Sequence, residues 1–183
     1  YQLAATQAVV NCFISQSKSD GNRYMLDKGK RKANNSLQID FINDQQGETY
    51  TDIAFGNAPI QDMDRVLSNV QEQQLAAGLA RSETLVVDDN GKGKNLTSSQ
   101  LNLNIEMETG TGKTYCYIRT MFELNKQYGW SKFIIVVPSI AIREGVYKSL
   151  EMMADHFHQV YQKKVRFFVY DSKALHHLES FSA

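Results

Sequence analysis

The alternation of hydrophobic and polar residues changes its period several times, and these changes predict the elements of the chain. Residues 101–105 alternate apolar and polar side chains, which is typical of a half-buried strand. Residues 115–128 carry apolar side chains at helical spacing and end before Gly129, a residue typical of a helix C-terminus. Residues 132–137 include four consecutive β-branched residues, which indicates a strand covered on both faces.

The pattern continues with a helix over residues 140–161 and a further strand over residues 165–170. The resulting order is strand, helix, strand, helix, strand. Such an order predicts an α/β fold in which helices cover both faces of a parallel sheet and the crossovers are right-handed.

The first hundred residues follow a less regular pattern. They predict a short amphipathic helix, then two short strands, a helix with Pro59 near its start and Gly78 near its end, and another short strand. These elements lie at residues 1–14, 37–42, 49–55, 59–79 and 84–87. We therefore expect three parts: an N-terminal helix at 1–14, an irregular α+β insertion or accessory lobe at 15–100, and an α/β domain at 101–183. Because the pattern is still in progress at Ala183, we expect the chain to be a piece of a longer polypeptide.

A glycine loop, METGTGKT, separates the predicted strand at 101–105 from the helix that follows. Strand, glycine loop, Lys-Thr and helix is the phosphate-binding arrangement of P-loop proteins. Gly110 and Gly112 place no side chain in the way, so backbone N–H groups can converge on phosphate oxygens. Lys113 can reach the β- and γ-phosphates, and Thr114 can offer its hydroxyl to Mg²⁺. The loop therefore predicts ATP and Mg²⁺ as cofactors, with Lys113 and Thr114 as the catalytic side chains.

One position departs from the strict motif, because Met107 stands where the motif has glycine. Helicase-type P-loops commonly have another residue at this position, so the departure favours a helicase-type P-loop over other P-loop classes. The alternative is a glycine-rich turn before an ordinary helix, with Lys113 merely solvated. The predicted strand and helix on either side of the loop favour the P-loop.

Gln2 stands at the start of the first predicted helix and has two interpretations. Its amide can accept a hydrogen bond from N6 of adenine and donate one to N7, which distinguishes adenine from guanine. It can equally be a polar residue near a helix start. The helicase-type loop downstream makes the adenine-reading role a specific hypothesis, and both interpretations stay open.

Composition limits the classes of protein further. The formal net charge is +0, so any contact with nucleic acid must come from a local patch. Cys12 and Cys116 match no disulfide or metal-site spacing, which suits a reducing cytosol. No apolar run approaches the roughly 18 residues of a membrane span. We expect a cytoplasmic globular protein with no membrane contact.

The segments METGTGKTYCYIRTMFELNKQYG and KFIIVVPSIAIREGVYKSL resemble the start of the motor in superfamily 2 helicases. More narrowly, they resemble the Res subunit of type III restriction–modification enzymes. The resemblance is strongest over residues 101–172 and reaches weakly to YQLAATQAVV, which is similar to the glutamine motif of that group. It implies a RecA-like first motor domain, which is a three-layer αβα arrangement around a parallel sheet. It also implies an ATP-driven motor on double-stranded DNA, a methyltransferase (Mod) subunit as partner and a separate nuclease domain that cuts.

The resemblance also implies roles for individual residues. Gln2 would meet adenine, and Thr114 would meet Mg²⁺. The phosphates would be held by Thr109, Gly110, Thr111, Gly112, Lys113 and Thr114. Ser139 and Arg143 lie in a segment that matches the motif lining the nucleic-acid track, so they would contact DNA phosphates. For Arg143, a surface ion pair with a nearby carboxylate remains the alternative.

The hydrolytic apparatus is incomplete in this sequence. ATP hydrolysis needs an Asp-Glu pair after a later strand, and no such pair follows an apolar strand after residue 114. Asp88 and Asp89 lie upstream and are better interpreted as a turn. We therefore expect these 183 residues to bind ATP without turning it over.

Three rival functions stay open at this point. The first is another superfamily 2 helicase or remodeller without a nuclease. The second is a P-loop kinase or metabolic nucleotide binder, which would act on a small molecule and ignore DNA. The third is an interaction module in which the loop only anchors a fold and residues 15–100 bind a partner.

Overall fold

The computed structural model describes residues 1–19, 22–25, 53–85 and 101–171, and in these residues the chain forms five helices and two strands. In chain order they are α1 (Gln2–Asn11), β1 (Asn22–Met25), β2 (Ile53–Gly56), α2 (Met63–Ala76), α3 (Lys113–Tyr128), α4 (Ile140–Met152) and α5 (Ala154–Tyr161). Helix α3 lies at the centre, because α1 packs on one face and α5 packs on another.

The larger hydrophobic cluster lies between α1, α2 and the C-terminal half of α3. Its buried members are Val10, Cys12, Phe13, Val66, Val70, Leu85, Leu124, Tyr128 and Trp130. The ring of Phe13 makes edge-on contacts with Tyr128 and Trp130, at centroid distances of 6.4 and 5.0 Å. These aromatic contacts join the end of α1 to the end of α3, because edge-to-face rings attract beyond the area that they bury.

The second hydrophobic cluster lies on the other face of α3 and is built from stacked rings. Phe157 of α5 stacks on Phe122 of α3 at 4.8 Å, and Phe122 stacks on Tyr161 at 4.9 Å. Tyr115 also stacks on Phe157, at a centroid distance of 5.4 Å. The four rings form a continuous ladder from the first turn of α3 to the end of α5, so α5 helps to fix the start of α3.

The predicted helices are confirmed in the described residues, with one correction. The helices α1, α2 and α3 lie where the apolar spacing placed them, and Gly129 is the C-cap of α3 at φ 80°. The single helix predicted over residues 140–161 is wrong, because the chain forms α4 and α5 with a break at Met153 (φ −94°, ψ 0°). The break separates α4, which contains no buried residue, from α5, which buries Phe157 against α3. None of these helices is both long and apolar enough to cross a membrane.

The strands predicted in the first hundred residues are confirmed only in part. In the described part of the chain, the one hydrogen-bonded ladder is the antiparallel pair β1–β2, with Asn22 opposite Gly56 and Met25 opposite Ile53. The end of the strand predicted at residues 49–55 is confirmed as β2. It pairs with β1, which lies in a stretch where the sequence pattern predicted no strand. The strand predicted at residues 37–42 lies outside the described residues.

The parallel sheet of the expected αβα fold is not confirmed. The predicted strands at residues 101–105, 132–137 and 165–170 are described, yet none of them forms a strand ladder. Ile134 and Val136, which the pattern placed inside a doubly covered strand, are 81% and 88% exposed. The physical reason is that a strand is defined by hydrogen bonds to its neighbours, which a run of β-branched side chains favours but cannot supply.

Two glycines with left-handed backbones allow a matched test of this packing. Gly129 has φ 80°, and a Cβ there would overlap the backbone carbonyl of Ser19, whereas Gly78 has φ 71° and open space around it. We expect Gly78→Ala to lower the free energy of unfolding by about 1 kcal/mol through backbone strain alone. Gly129→Ala should cost roughly twice as much, because the Ser19 backbone must also move. Urea unfolding of both variants measures the difference, and equal costs would contradict the contact.

Candidate functional site

The glycine loop before α3 adopts a closed turn. Gly110 and Gly112 have φ angles of 81° and 88°, in the left-handed region that side-chain-bearing residues rarely adopt. The Thr111 hydroxyl donates to the Glu108 carbonyl oxygen at 2.6 Å, and the Thr111 backbone N–H donates to the same oxygen at 3.4 Å. The backbone of this turn therefore favours glycine at both positions.

The start of α3 is open towards the loop. Gly112 is the N-cap and supplies no capping side chain, and the first turn carries no acidic residue. The first N–H groups of a helix have no partner within the helix, and the helix dipole makes this end positive. Lys113 is exposed at the same end and adds a full positive charge. The arrangement is suited to binding a phosphate group.

Gln2 lies against this loop although 109 residues separate it from Thr111. Its Nε2 donates to the Thr111 carbonyl oxygen at 2.9 Å. The side chain also covers Gly112, since a Cβ on that glycine would overlap Nε2. The structure thus brings the predicted glutamine and the predicted phosphate loop together.

Thr114 lies in the first turn of α3 and is partly buried. Burial raises the pKa of the nearby Tyr117 phenol, and the Thr114 side chain offsets part of the rise. Tyr117 is therefore neutral at physiological pH and adds no charge beside Thr114.

The donor set around Thr114 is compatible with Mg²⁺ that arrives with a nucleotide. Mg²⁺ prefers oxygen ligands and usually keeps few protein ligands where phosphates supply the others. Thr114 can supply one hydroxyl oxygen. In the described ranges, no group of three or more His, Cys, Asp or Glu side chains could hold a metal ion by itself.

Ser139 and Arg143 lie at the start of α4, and each makes a side-chain contact with a neighbouring residue of that helix. The Ser139 hydroxyl caps the helix by accepting from the Ile142 N–H at 3.3 Å. The Arg143 guanidinium pairs with the Glu144 carboxylate at 2.9 Å. The ion pair that was the alternative role for Arg143 is therefore present, and the DNA contacts of both residues stay a prediction.

The sequence pattern missed the contact that holds α1 on α3 near the loop. The Thr6 hydroxyl and the Cys116 sulfur lie 3.6 Å apart, and the Cys116 thiol donates to the Gln2 carbonyl oxygen at 3.8 Å. Cys116 is a buried free thiol, and it makes polar contacts with α1. The spacing of Gln2 and Thr6, four residues apart on one helix face, was the available signal.

Comparison with known proteins gives a consistent family. Residues 60–178, more than half of the 183-residue chain, match the family described as "Type III restriction enzyme, res subunit". Such a match implies a helicase-like RecA fold.

Individual relatives are similar over shorter stretches. The chain is 36% identical over 108 residues to the type III restriction-modification enzyme EcoP15I Res subunit of Escherichia coli, which is 58% of this chain and 10% of that protein. It is 44% identical over 69 residues to the EcoPI Res subunit of Escherichia phage P1, covering 37% of this chain and 7% of that protein. It is 41% identical over 101 residues to the StyLTI Res subunit of Salmonella typhimurium. That match covers 50% of this chain and 10% of that protein. The chain thus spans a tenth or less of the length of these relatives.

The contact between Gln2 and Gly112 can be tested by paired glycine substitutions. Gly110→Ala places a Cβ in open space and should lower the free energy of unfolding by about 1 kcal/mol through left-handed strain. Gly112→Ala should cost more, because its Cβ also meets the Gln2 side chain. Combining Gly112→Ala with Gln2→Ala should recover the excess, as a double-mutant cycle measures. Strictly additive costs for Gly112→Ala and Gln2→Ala would contradict the contact.

Proposed function

The chain belongs to the family of type III restriction enzyme res subunits, and we propose that it is the ATP-binding part of a DNA-dependent ATPase and translocase subunit of a type III restriction endonuclease. The observation that carries the proposal is the uncapped start of α3, where the loop glycines, Lys113 and Gln2 meet. An anion is stabilised at such a helix end by N–H groups and by the positive dipole.

In this proposal the loop from Thr109 to Thr114 holds the phosphates of ATP. Lys113 neutralises negative charge on the β- and γ-phosphates, and the Thr114 hydroxyl is the protein ligand of Mg²⁺. When bound, Mg²⁺ supplies charge neutralisation on the phosphate oxygens. Gln2 lies beside the same loop and contacts the adenine edge. We expect residues 1–183 to bind ATP without hydrolysing it, since they contain no Asp-Glu pair after a later strand.

Double-stranded DNA is the proposed track, contacted at the start of α4. The side chains of Arg143 and Glu144 are 43% and 54% exposed, so their ion pair contributes at most about 1 kcal/mol. A DNA phosphate can therefore replace Glu144 as the partner of Arg143 at little cost. The Ser139 hydroxyl accepts from the Ile142 N–H and keeps its own proton to donate to a phosphate oxygen.

The assembly and the domain arrangement are also proposals. The relatives are named as Res subunits of restriction-modification enzymes, which supports a methyltransferase (Mod) subunit as partner and a cytoplasmic location. We propose that residues 101–183 belong to a three-layer αβα motor domain, that residues 15–100 form an insertion, and that residues 1–14 carry the glutamine motif.

The nucleotide role is tested by Lys113→Ala in the natural full-length protein, with Lys126→Ala as the matched control. Both lysines are exposed on α3, but Lys126 lies at the far end of the helix. We expect Lys113→Ala to weaken ATP binding about ten-fold or more, because a charge-assisted contact with the phosphates is lost. The same variant should have no DNA-stimulated ATP hydrolysis. Lys126→Ala should behave as wild type. ATP hydrolysis that is indifferent to DNA would instead favour a kinase or metabolic nucleotide binder.

The DNA role is tested by Arg143→Ala, with Lys148→Ala on the same exposed helix as the control. Removing one phosphate contact should weaken DNA binding uniformly across sequences and reduce the salt slope by about 1. ATP affinity should not change, since Arg143 lies outside the glycine loop. A salt slope equal to that of wild type would show that Arg143 serves only its pair with Glu144.

A further inference from the structure

We propose that Gln2 is a positioning residue for the phosphate-binding loop, so that it strengthens the binding of a triphosphate whether or not a base is attached. The inference rests on the proposed function and deepens it. Adenine recognition alone would make Gln2 act on the base. The geometry points to a second action, on the backbone of the loop itself.

The first observation is the hydrogen bond from the Gln2 amide to the loop. Nε2 donates to the Thr111 carbonyl oxygen at 2.9 Å in a partly buried position. Thr111 stands between Gly110 and Gly112, which both have left-handed backbones. Glycines on both sides give the loop many accessible conformations when nothing holds it. A hydrogen bond to the residue between them restricts that freedom.

The second observation is that Gln2 is itself held in place. The Cys116 thiol donates to the Gln2 carbonyl oxygen at 3.8 Å, and the Thr6 hydroxyl, in a residue that is 2% exposed, lies 3.6 Å from the same sulfur. Further along α1, the Tyr128 hydroxyl donates to the carbonyl oxygen of the fully buried Val10 at 2.8 Å. These contacts fix α1 along α3, so the Gln2 side chain starts from an anchored backbone.

The hydrogen-bonding capacity of the amide allows both actions together. A glutamine amide has two N–H donors and a carbonyl oxygen with two lone pairs. One N–H is used on Thr111, which leaves the second N–H and the carbonyl oxygen for an adenine edge. A loop that is already ordered loses less conformational freedom when phosphate binds, and affinity rises accordingly. The gain applies to every ligand that carries the phosphates.

The test compares ligands with and without a base in the natural full-length protein. The dissociation constants of Mg-ATP, Mg-GTP and Mg-tripolyphosphate are measured by calorimetry for wild type, Gln2→Met and Gln2→Glu. Methionine keeps the length of the side chain, glutamate keeps its shape, and neither can donate to Thr111 at neutral pH. Gln7→Met is the control, because the Gln7 amide is exposed on the same helix and donates to Asn11 instead.

We expect Gln2→Met to bind Mg-tripolyphosphate and Mg-GTP about five-fold more weakly, which corresponds to the loss of one hydrogen bond, and to bind Mg-ATP more weakly still because the adenine contact is lost as well. Gln2→Glu should lose at least as much affinity for each ligand, because its carboxylate also repels the phosphates. Gln7→Met should bind them as wild type does. The free energy of unfolding of each variant is also measured in urea without ligand. If one Gln2 variant is less stable than wild type, the conclusion is drawn from the dissociation constants of the Gln2 variant that keeps its stability.

Two results would overturn the inference or the function beneath it, and they are distinguishable. Gln2 variants that lose affinity for Mg-ATP but bind Mg-tripolyphosphate as wild type does would confine Gln2 to the base and overturn the inference. Lys113→Ala that binds all three ligands as wild type does would remove the phosphate site and overturn the proposed function.

Discussion

Helix α3 meets two opposed requirements, and the rest of the described structure depends on how it meets them. Its sides are buried, because Leu124 and Tyr128 face one hydrophobic cluster while Ile118 and Phe122 face another. Its start carries no capping side chain, and the proposed binding of phosphate requires the N–H groups at this end to be unoccupied. A glycine at the N-cap satisfies the second requirement, and burial along both sides supplies the stability that the open end does not.

The packing of α1 follows from the same arrangement. The Tyr128 hydroxyl donates a hydrogen bond to the Val10 carbonyl oxygen near the end of α3, and the Cys116 sulfur contacts the Thr6 hydroxyl near its start. The helices α1 and α3 therefore run side by side in the same direction. This alignment carries Gln2 to the glycine loop rather than into solvent. The ladder of rings from Tyr115 to Tyr161 supports the opposite side of α3. The glycine loop therefore leads into a helix that is fixed from two directions.

The sequence predicted well those features that depend on local chemistry. Gly110, Gly112 and Gly129 have positive φ angles where the motif and the helix end required them, since few other residues adopt that backbone readily. The helices α1, α2 and α3 followed from apolar spacing because each buries one or two continuous faces. The sequence singled out Gln2 as a candidate, and only the folded chain shows its bond to Thr111.

Features that depend on distant partners could not be predicted in the same way. The strand β1 has the sequence NRYM, which lacks the alternation of a half-buried strand, and it exists because β2 pairs with it. The run at residues 132–137 has strand-like side chains but no ladder, since pairing needs a neighbour that side-chain pattern does not specify. No glycine or proline in the sequence marks the break at Met153. The break lets α5 place Phe157 against Phe122, which is a contact between residues far apart in the sequence.

Amide hydrogen exchange in the natural full-length protein, with and without Mg-ATP, tests whether the phosphates bind at the open end of α3. If the open end of α3 binds the phosphates, exchange at residues 110–114 should slow markedly, because those N–H groups gain phosphate partners. Exchange at the far end of α3, near Gly129, should change little. Unchanged exchange at residues 110–114 under saturating Mg-ATP, with protection elsewhere, would show that the nucleotide binds away from this loop.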